Sequence, residues 1–295
     1  ASAISGDSAS SMTDFDHNED HHRNTSPSRR LRHSFVTSNK LPSGTTTGNV
    51  MVGSETDSVR YGWRLRLGML VPSSNRVVEP ELPSMLPQGV AVHTTRLRLV
   101  GGGPDELLAM TEKVEEAAEL VAHAGVDLIV FHCTAVSTFD VGMEATLKAR
   151  ITKTTGKPAI ATSEALVAAF RELGARRIVL LSPYPSDVNE REVAFFHHHQ
   201  ISVVHEVGLN LQGGGGAYSD VDPAVWYRLA MANRRDSADA YFLSCTTIRT
   251  APVIAMLERD LGKPVVTSNQ AMIWHALRTG GVRDKIAGFG ELLTR

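Results

Sequence analysis

The sequence predicts an α/β protein of two related lobes, each built on a four-stranded parallel sheet, with a candidate active site in the cleft between them. Three observations predict it. From Trp63 onward, short β-rich runs alternate with helical stretches, as in βα units on a parallel sheet. That pattern occurs twice, and one half matches the other over long stretches. The chain's two cysteines, Cys133 and Cys245, fall at matching places in the two copies.

In chain order, strands are expected at 66–71, 90–99, 126–132, 157–162, 177–182, 201–207, 239–244 and 263–268, each an apolar run of strand length. Helices lie between them, clearest at 104–125, 163–175 and 269–280. The repeat then joins these elements. At a shift of 111, "RLGMLVPSSNRVVEPEL" lies on "RIVLLSPYPSDVNEREV", pairing Pro72 with Pro183 and Glu79 with Glu190. The second strand follows at the same shift. At 112, "DLIVFHCTAVST" lies on "DAYFLSCTTIRT", and at 106 "GKPAIATSEALVAAFRELGA" lies on "GKPVVTSNQAMIWHALRTGG". Small changes of shift are expected where loops differ in length. These matches divide the chain into a first lobe over 63–175, a second over 176–268, and a C-terminal helical segment, 269–295, expected to pack back on the first.

Residues 1–62 are dense in Ser, Thr, Asn and Gly and lack periodic apolar positions, so a disordered tail is expected. Its "SPSRRLRHS" stretch raises organelle targeting as an alternative, against which stand Asp14, Asp16, Glu19 and Asp20. His17 and His21 share helical spacing, and Asn24 opens a glycosylation sequon, but solvated histidines and an unmodified asparagine are the simpler readings in such a segment.

With 42% hydrophobic and 21% charged residues and a formal charge of −2, the 295 residues suit an ordinary globular protein. No basic excess points to nucleic acid. No apolar stretch approaches the roughly 20 residues needed to span a bilayer, so no membrane role is expected. Two cysteines are too few for a disulfide-stapled secreted scaffold, which favours free thiols and a cytoplasmic setting.

A second cysteine placed at random in about 230 residues would land within one position of its repeat equivalent about one time in a hundred. The pair is therefore read as functional, although a lone cysteine would be read as a small buried hydrophobe. Each cysteine ends a parallel strand, where ligands bind in such sheets. The residues after them, Thr134 and Ala135 in one copy, Thr246 and Thr247 in the other, turn toward a helix whose free N–H groups favour a carboxylate. The same field is expected to lower a thiol pKa. Two opposed thiols suit proton transfer on both faces of a carbon next to a carboxylate, giving racemisation. They equally suit addition to a carbon–carbon double bond, rotation and elimination, giving the other geometric isomer.

The set "GMLVPSSN" (68–75), "HCT" (132–134), "SPYPSDVNE" (182–190), "SCTTIRT" (244–250) and "GKPVVTSNQA" (262–271) resembles the aspartate/glutamate racemase superfamily, in its maleate cis–trans isomerase and arylmalonate decarboxylase branch. The likeness covers about residues 64–293. It implies two pseudo-twofold-related Rossmann-like lobes and a cofactor-independent isomerase of small carboxylic acids, with an amino-acid racemase, and then a decarboxylase or related lyase, as alternatives. By resemblance Cys133 is the nucleophile and Cys245 the opposing acid. Asn75 and Tyr184 bind the substrate carboxylate, and Pro72, Ser73 and Thr134 line the pocket. Arylmalonate decarboxylases keep a glycine at the first cysteine position, so Cys133 argues against decarboxylation. His132 and Arg249 depart from the isomerase pattern and leave the substrate open.

Arg249 either binds a second carboxylate or pairs with a surface acid. His132 alternates in direction with Cys133 on a regular strand and is expected to point away from the cleft. His197, His198 and His199 would fan around a helix, so no metal and no cofactor are expected. Gly101–Gly103 and Gly213–Gly216 match no phosphate-binding motif and are expected as loops flanking the cleft. Glu79 and Glu190 are read as solvated or capping carboxylates near a helix start. The expected partner is a small carboxylic-acid substrate, in a homo-oligomer paired through apolar helix faces.

Overall fold

The computed structural model describes residues 61–295. The expected tail, with its histidine pair and sequon, lies outside them but for its last two residues.

The first sheet contains β1 (Leu65–Pro72), β2 (Val90–Leu97), β3 (Leu128–Phe131) and β4 (Ala159–Ala161). The second contains β5 (Arg177–Ser182), β6 (Ser202–Gly208), β7 (Ala240–Leu243) and β8 (Val265–Thr267). All neighbours are parallel, in the orders β2-β1-β3-β4 and β6-β5-β7-β8. The two orders are the same order, so the internal repeat is a repeat of topology. In each sheet the winding reverses beside the first strand, and the crevice outside the carboxyl ends of β1 and β3, or of β5 and β7, is where such a sheet binds ligands.

The change of shift from 111 to 112 is not a loop difference. Leu67 pairs with Val92 and Ile178 with Val203, but Gly68 pairs with His93 while Val179 pairs with His205. The extra residue is Val204, a β-bulge inside β6. It sits on an edge strand, where an unpaired residue is least disruptive.

Helices α1 (Val78–Met85), α2 (Pro104–Ala109), α3 (Val114–Ala122), α4 (Thr134–Ser137), α5 (Met143–Thr155) and α6 (Thr162–Glu172) belong to the first copy. The second holds α7 (Ser186–His198), α8 (Gly215–Asp220), α9 (Pro223–Ala232), α10 (Ile254–Leu261) and α11 (Ser268–Thr279). The single helix expected over 104–125 is broken by a 3₁₀ turn at Met110–Lys113. There the Thr111 hydroxyl donates back to the Leu108 carbonyl at 2.8 Å, and Arg150 takes the Thr111 carbonyl at 2.9 Å, which draws that backbone out of the regular ladder.

Alternating strand residues feed two cores. Leu67, Met69, Ile178, Leu180 and Phe242 share one apolar cluster with Phe170 and Phe196. Phe170 of α6 meets Phe196 of α7 and Phe242 of β7 edge-on, with ring centroids 5.7 and 5.8 Å away. One aromatic cluster thus joins α6 of the first copy to α7 and β7 of the second, and edge-to-face packing adds to its area burial. Helix α11 starts with a capping box, Thr267 against Gln270, and packs on α6 and α1. Among the described residues no helix is long and apolar enough to cross a membrane.

Candidate active site

The carboxyl ends of the inner strands deliver the two cysteines. Cys133 follows β3 in extended backbone (φ −151°, ψ 114°) and opens α4. Cys245 follows β7 at φ +127°, a left-handed conformation that costs a non-glycine residue about 1–3 kcal/mol. Both thiols are free and 5% exposed. Pro72, Cys133, Ala135, Tyr184, Cys245, Thr246 and Thr247 all line one narrow cavity of about 30 Å³. The glycine loops close its mouth: Gly101, Gly102 and Gly215 line it, and a Cβ on Gly214 (φ +66°) would stand 2.8 Å from the Gly101 carbonyl oxygen. Arg76 ties this closure, donating to Ser219 Oγ at 3.0 Å and to the Gly216 carbonyl at 2.7 Å on α8.

The thiols are not depressed as the helix-start argument expects. Burial pushes Cys133 up to about 12, against the opposing pull of the Val136 and Ala135 N–H groups. Burial likewise pushes Cys245 up to about 11, although the Tyr184 hydroxyl and the Thr247 N–H favour its thiolate. A helix of four residues carries little dipole, and desolvation wins. Both thiols are neutral at rest.

Four expected site residues stand elsewhere. Asn75 is buried, but its Oδ1 accepts from the Val77 and Val78 N–H groups at 2.9 and 3.0 Å, and its Nδ2 donates to the Thr246 carbonyl and Oγ1, both at 3.1 Å. Its amide has no group left for a substrate; it holds Thr246 across the cleft instead. Ser73 faces outward and exchanges hydrogen bonds with Leu99, while its neighbour Ser74 lines the cavity. The Thr134 hydroxyl donates to Ser268 Oγ at 2.8 Å, and Ser268 accepts the Cys245 N–H at 3.2 Å, so Thr134 braces the opposite cysteine. Arg249 points to the surface, donating to the Asp220 and Val221 carbonyls at 3.2 and 3.1 Å.

His132 turns away from the cleft as expected, into a buried polar network. Its Nε2 lies 3.0 Å from Asn269 Oδ1 and its Nδ1 2.9 Å from Thr162 Oγ1. Asn269 Nδ2 donates to Glu81 at 2.9 Å, so Oδ1 must accept and Nε2 of His132 carries the proton. Burial lowers the histidine to about 4, which makes it neutral.

Other cavity residues lacked a sequence signal. Tyr218 of α8 lines the cavity and meets the Tyr184 ring edge-on at 5.7 Å. Two carboxylates, Glu192 buried and Glu81 half-buried, lie behind the cysteines. Glu192 accepts from Ser244 Oγ at 2.7 Å, and Glu81 accepts from the Thr250 and Ala251 N–H groups at 3.0 and 3.1 Å. The shift of 111 that pairs Glu79 with Glu190 also carries Glu81 onto Glu192, so the signal was present, two residues beyond the pair it singled out. Among the described residues, no group of three His, Cys, Asp or Glu side chains could hold a metal ion.

Fold and site together define a two-lobed, all-parallel α/β protein in which each lobe presents one cysteine to a shared cavity. The chain belongs to the arylmalonate decarboxylase family, whose profile matches residues 67–293, and so to the aspartate/glutamate racemase superfamily. It is 28% identical over 243 residues to a maleate isomerase of Pseudomonas putida KT2440, covering 78% of this chain and 97% of that protein. Against the arylmalonate decarboxylase of Bordetella bronchiseptica it is 29% identical over 230 residues, covering 77% and 95%. The crystal structure of the maleate isomerase Iso from Pseudomonas putida S16 superposes with a TM-score of 0.75 at 26% identity, covering 78% of this chain and 98% of that one.

Proposed function

We propose that the protein is a cofactor-independent isomerase of small dicarboxylic acids, most like a maleate cis–trans isomerase. The observation that carries this reading is the meeting of Cys133 and Cys245, from equivalent strand ends of two lobes, at one small cavity. The maleate isomerases among its relatives support the substrate class.

In this reading the Cys133 thiol first releases its proton to solvent, and the thiolate then adds to one alkene carbon, forming a carbon–sulfur bond as the π electrons move to the neighbouring carbon. The Cys245 thiol gives that carbon its proton. The adduct, now joined by a single bond, rotates; Cys245 takes a proton back and the carbon–sulfur bond breaks to give the trans alkene. Negative charge developing toward the carboxylate is met by donors at the strand ends, Thr246 and Thr247 among the residues lining the cavity beside Cys245. Tyr184, hydrogen-bonded to the Cys245 sulfur, eases that thiol through its charged phase. Asn75 acts through Thr246 and not on the substrate. Two free thiols suit a reducing compartment, and a cytoplasmic setting goes with this proposal.

The test is a proton NMR time course with maleate in deuterated buffer. Growth of the fumarate signal is the expected result. Maleate unchanged at enzyme concentrations comparable to substrate overturns the assignment.

A further inference from the structure

We infer that Glu192 is a positioning residue that gates the thiol pair through its charge: its carboxyl, buried behind Cys245, must stay neutral for the cysteines to ionise. Its importance for turnover rests on the isomerase reading, but the gating itself does not.

The geometry is asymmetric in a telling way. Glu192 reaches from α7 to Ser244, the residue between β7 and Cys245, with Oε1 accepting the serine hydroxyl at 2.7 Å. Its other oxygen, Oε2, is buried without a protein partner. Its repeat equivalent, Glu81, receives three N–H donors, two from the Thr250–Ala251 backbone and one from Asn269. Two or three such donors are what a buried carboxylate needs to hold a charge. Glu81 has them, and they oppose the upward shift that burial gives it, whereas Glu192 has Ser244 alone.

The groups that face Glu192 deepen the difference. Cys245 stands past β7, Cys133 past β3 and Tyr184 past β5, and a charge on Glu192 opposes ionisation of each. From β6 comes Glu206, another acid, held by Asn189. The nearest guanidinium on its own helix, Arg191, lies over the Phe139 ring at 4.6 Å and pairs with Asp187. Burial raises Glu192 to about 8, against the pull of Ser244. As pH rises, Glu192 therefore loses its proton before Cys245 and Cys133. Its charge then holds both thiols protonated, because like charges in one desolvated site cannot all form. Neutral Glu192 leaves the thiols free to ionise.

The test is the pH dependence of iodoacetamide alkylation at each cysteine, read by peptide mass spectrometry on the full chain without substrate. In the wild type the rate should rise with pH and bend to a shallower slope near the Glu192 titration. In Glu192→Gln, which keeps an acceptor for Ser244, the bend should vanish, with rates equal to wild type at pH 6 and about tenfold higher at pH 9, the size of a one-unit shift from a neighbouring charge. Ser244→Ala removes a hydrogen bond to the charged carboxylate and should move the bend to higher pH. Superimposable curves for wild type and Glu192→Gln overturn the inference, as does an acceleration of equal size at pH 6, which would mark mere loosening. If Glu192→Gln does not fold, an unmoved bend in Ser244→Ala is enough to overturn it. A protein that gates its thiols in this way yet leaves maleate untouched would retain the inference and lose the substrate assignment.

Discussion

Cys133 and Cys245 occupy equivalent places in two copies of one unit, yet their surroundings differ at every level. Cys133 sits in relaxed extended backbone and opens a helical turn that brings the Ala135 and Val136 N–H groups to its sulfur. Cys245 is held at φ +127°; the next helical turn begins only at Ala251, and its sulfur is met by the Thr247 N–H at 3.3 Å and by a side chain from another strand end, Tyr184. Behind the first lies His132, linked through Asn269 to a fully bonded Glu81. Behind the second lies Ser244, bonded to a half-satisfied Glu192. A duplicated scaffold supplies symmetric placement, and the surroundings make the two thiols unlike: backbone N–H groups meet both sulfurs, and a tyrosine side chain meets only that of Cys245.

The largest effects that could break this comparison come from the thiols themselves. Cys133→Ala and Cys245→Ala should each lower maleate turnover by about 10³-fold, within the range that nucleophilic and acid–base groups supply. Only Cys245 should still form an adduct with a maleate-like alkylating agent such as N-ethylmaleimide in the first variant, and only Cys133 in the second. An activity that survives loss of either cysteine would show that the two sites do not act as a pair.

Next in size are the two glutamates, whose stability effects should part with pH. Glu81→Gln sets an amide N–H₂ against the donors that the carboxylate now accepts and should cost roughly 1–3 kcal/mol in urea unfolding. Glu192 is raised from 4.5 to about 8, so the native state holds a proton that the unfolded chain releases, and stability falls as pH climbs through that interval. His132, lowered from 6.5 to about 4, works in the other direction: stability falls as pH drops through its own interval. Glu192→Gln should flatten the alkaline fall and leave the acid one in place. Equal alkaline slopes in wild type and variant would mean that Glu192 is not the buried proton holder.

Much of this was legible in the sequence, because the signals that survive duplication are spacings. The pairs Pro72 with Pro183 and Cys133 with Cys245 gave the two lobes, the sheets and the cleft. What was lost was direction. That Asn75, Ser73 and Thr134 follow strand ends does not say where their side chains point, and they brace α1, Leu99 and Ser268 while Ser74 reaches the cavity. Arg249 has the charge to bind a carboxylate but turns to carbonyls at the end of α8. The bulge at Val204 has no side-chain signature, since any residue can be the unpaired one. The thiols' charge state was misjudged because a helix start is visible in sequence and the depth of burial is not.

The smallest predicted effect isolates the backbone difference from the chemistry. At Cys245 the positive φ penalises any Cβ, so glycine should fit that position better than alanine. Cys245→Gly should therefore be more stable than Cys245→Ala by about 1 kcal/mol in urea unfolding. At Cys133, in extended backbone, the order should reverse, with glycine less stable than alanine by about 0.5–1 kcal/mol through its greater freedom in the unfolded chain. Both comparisons remove the thiol in both partners, so packing against sulfur cancels and only the backbone term remains. The same order at both positions would mean that Cys245 carries no strain. A reversal would show that the second lobe stores strain at the position where its acid must be aimed, and that the first lobe does not.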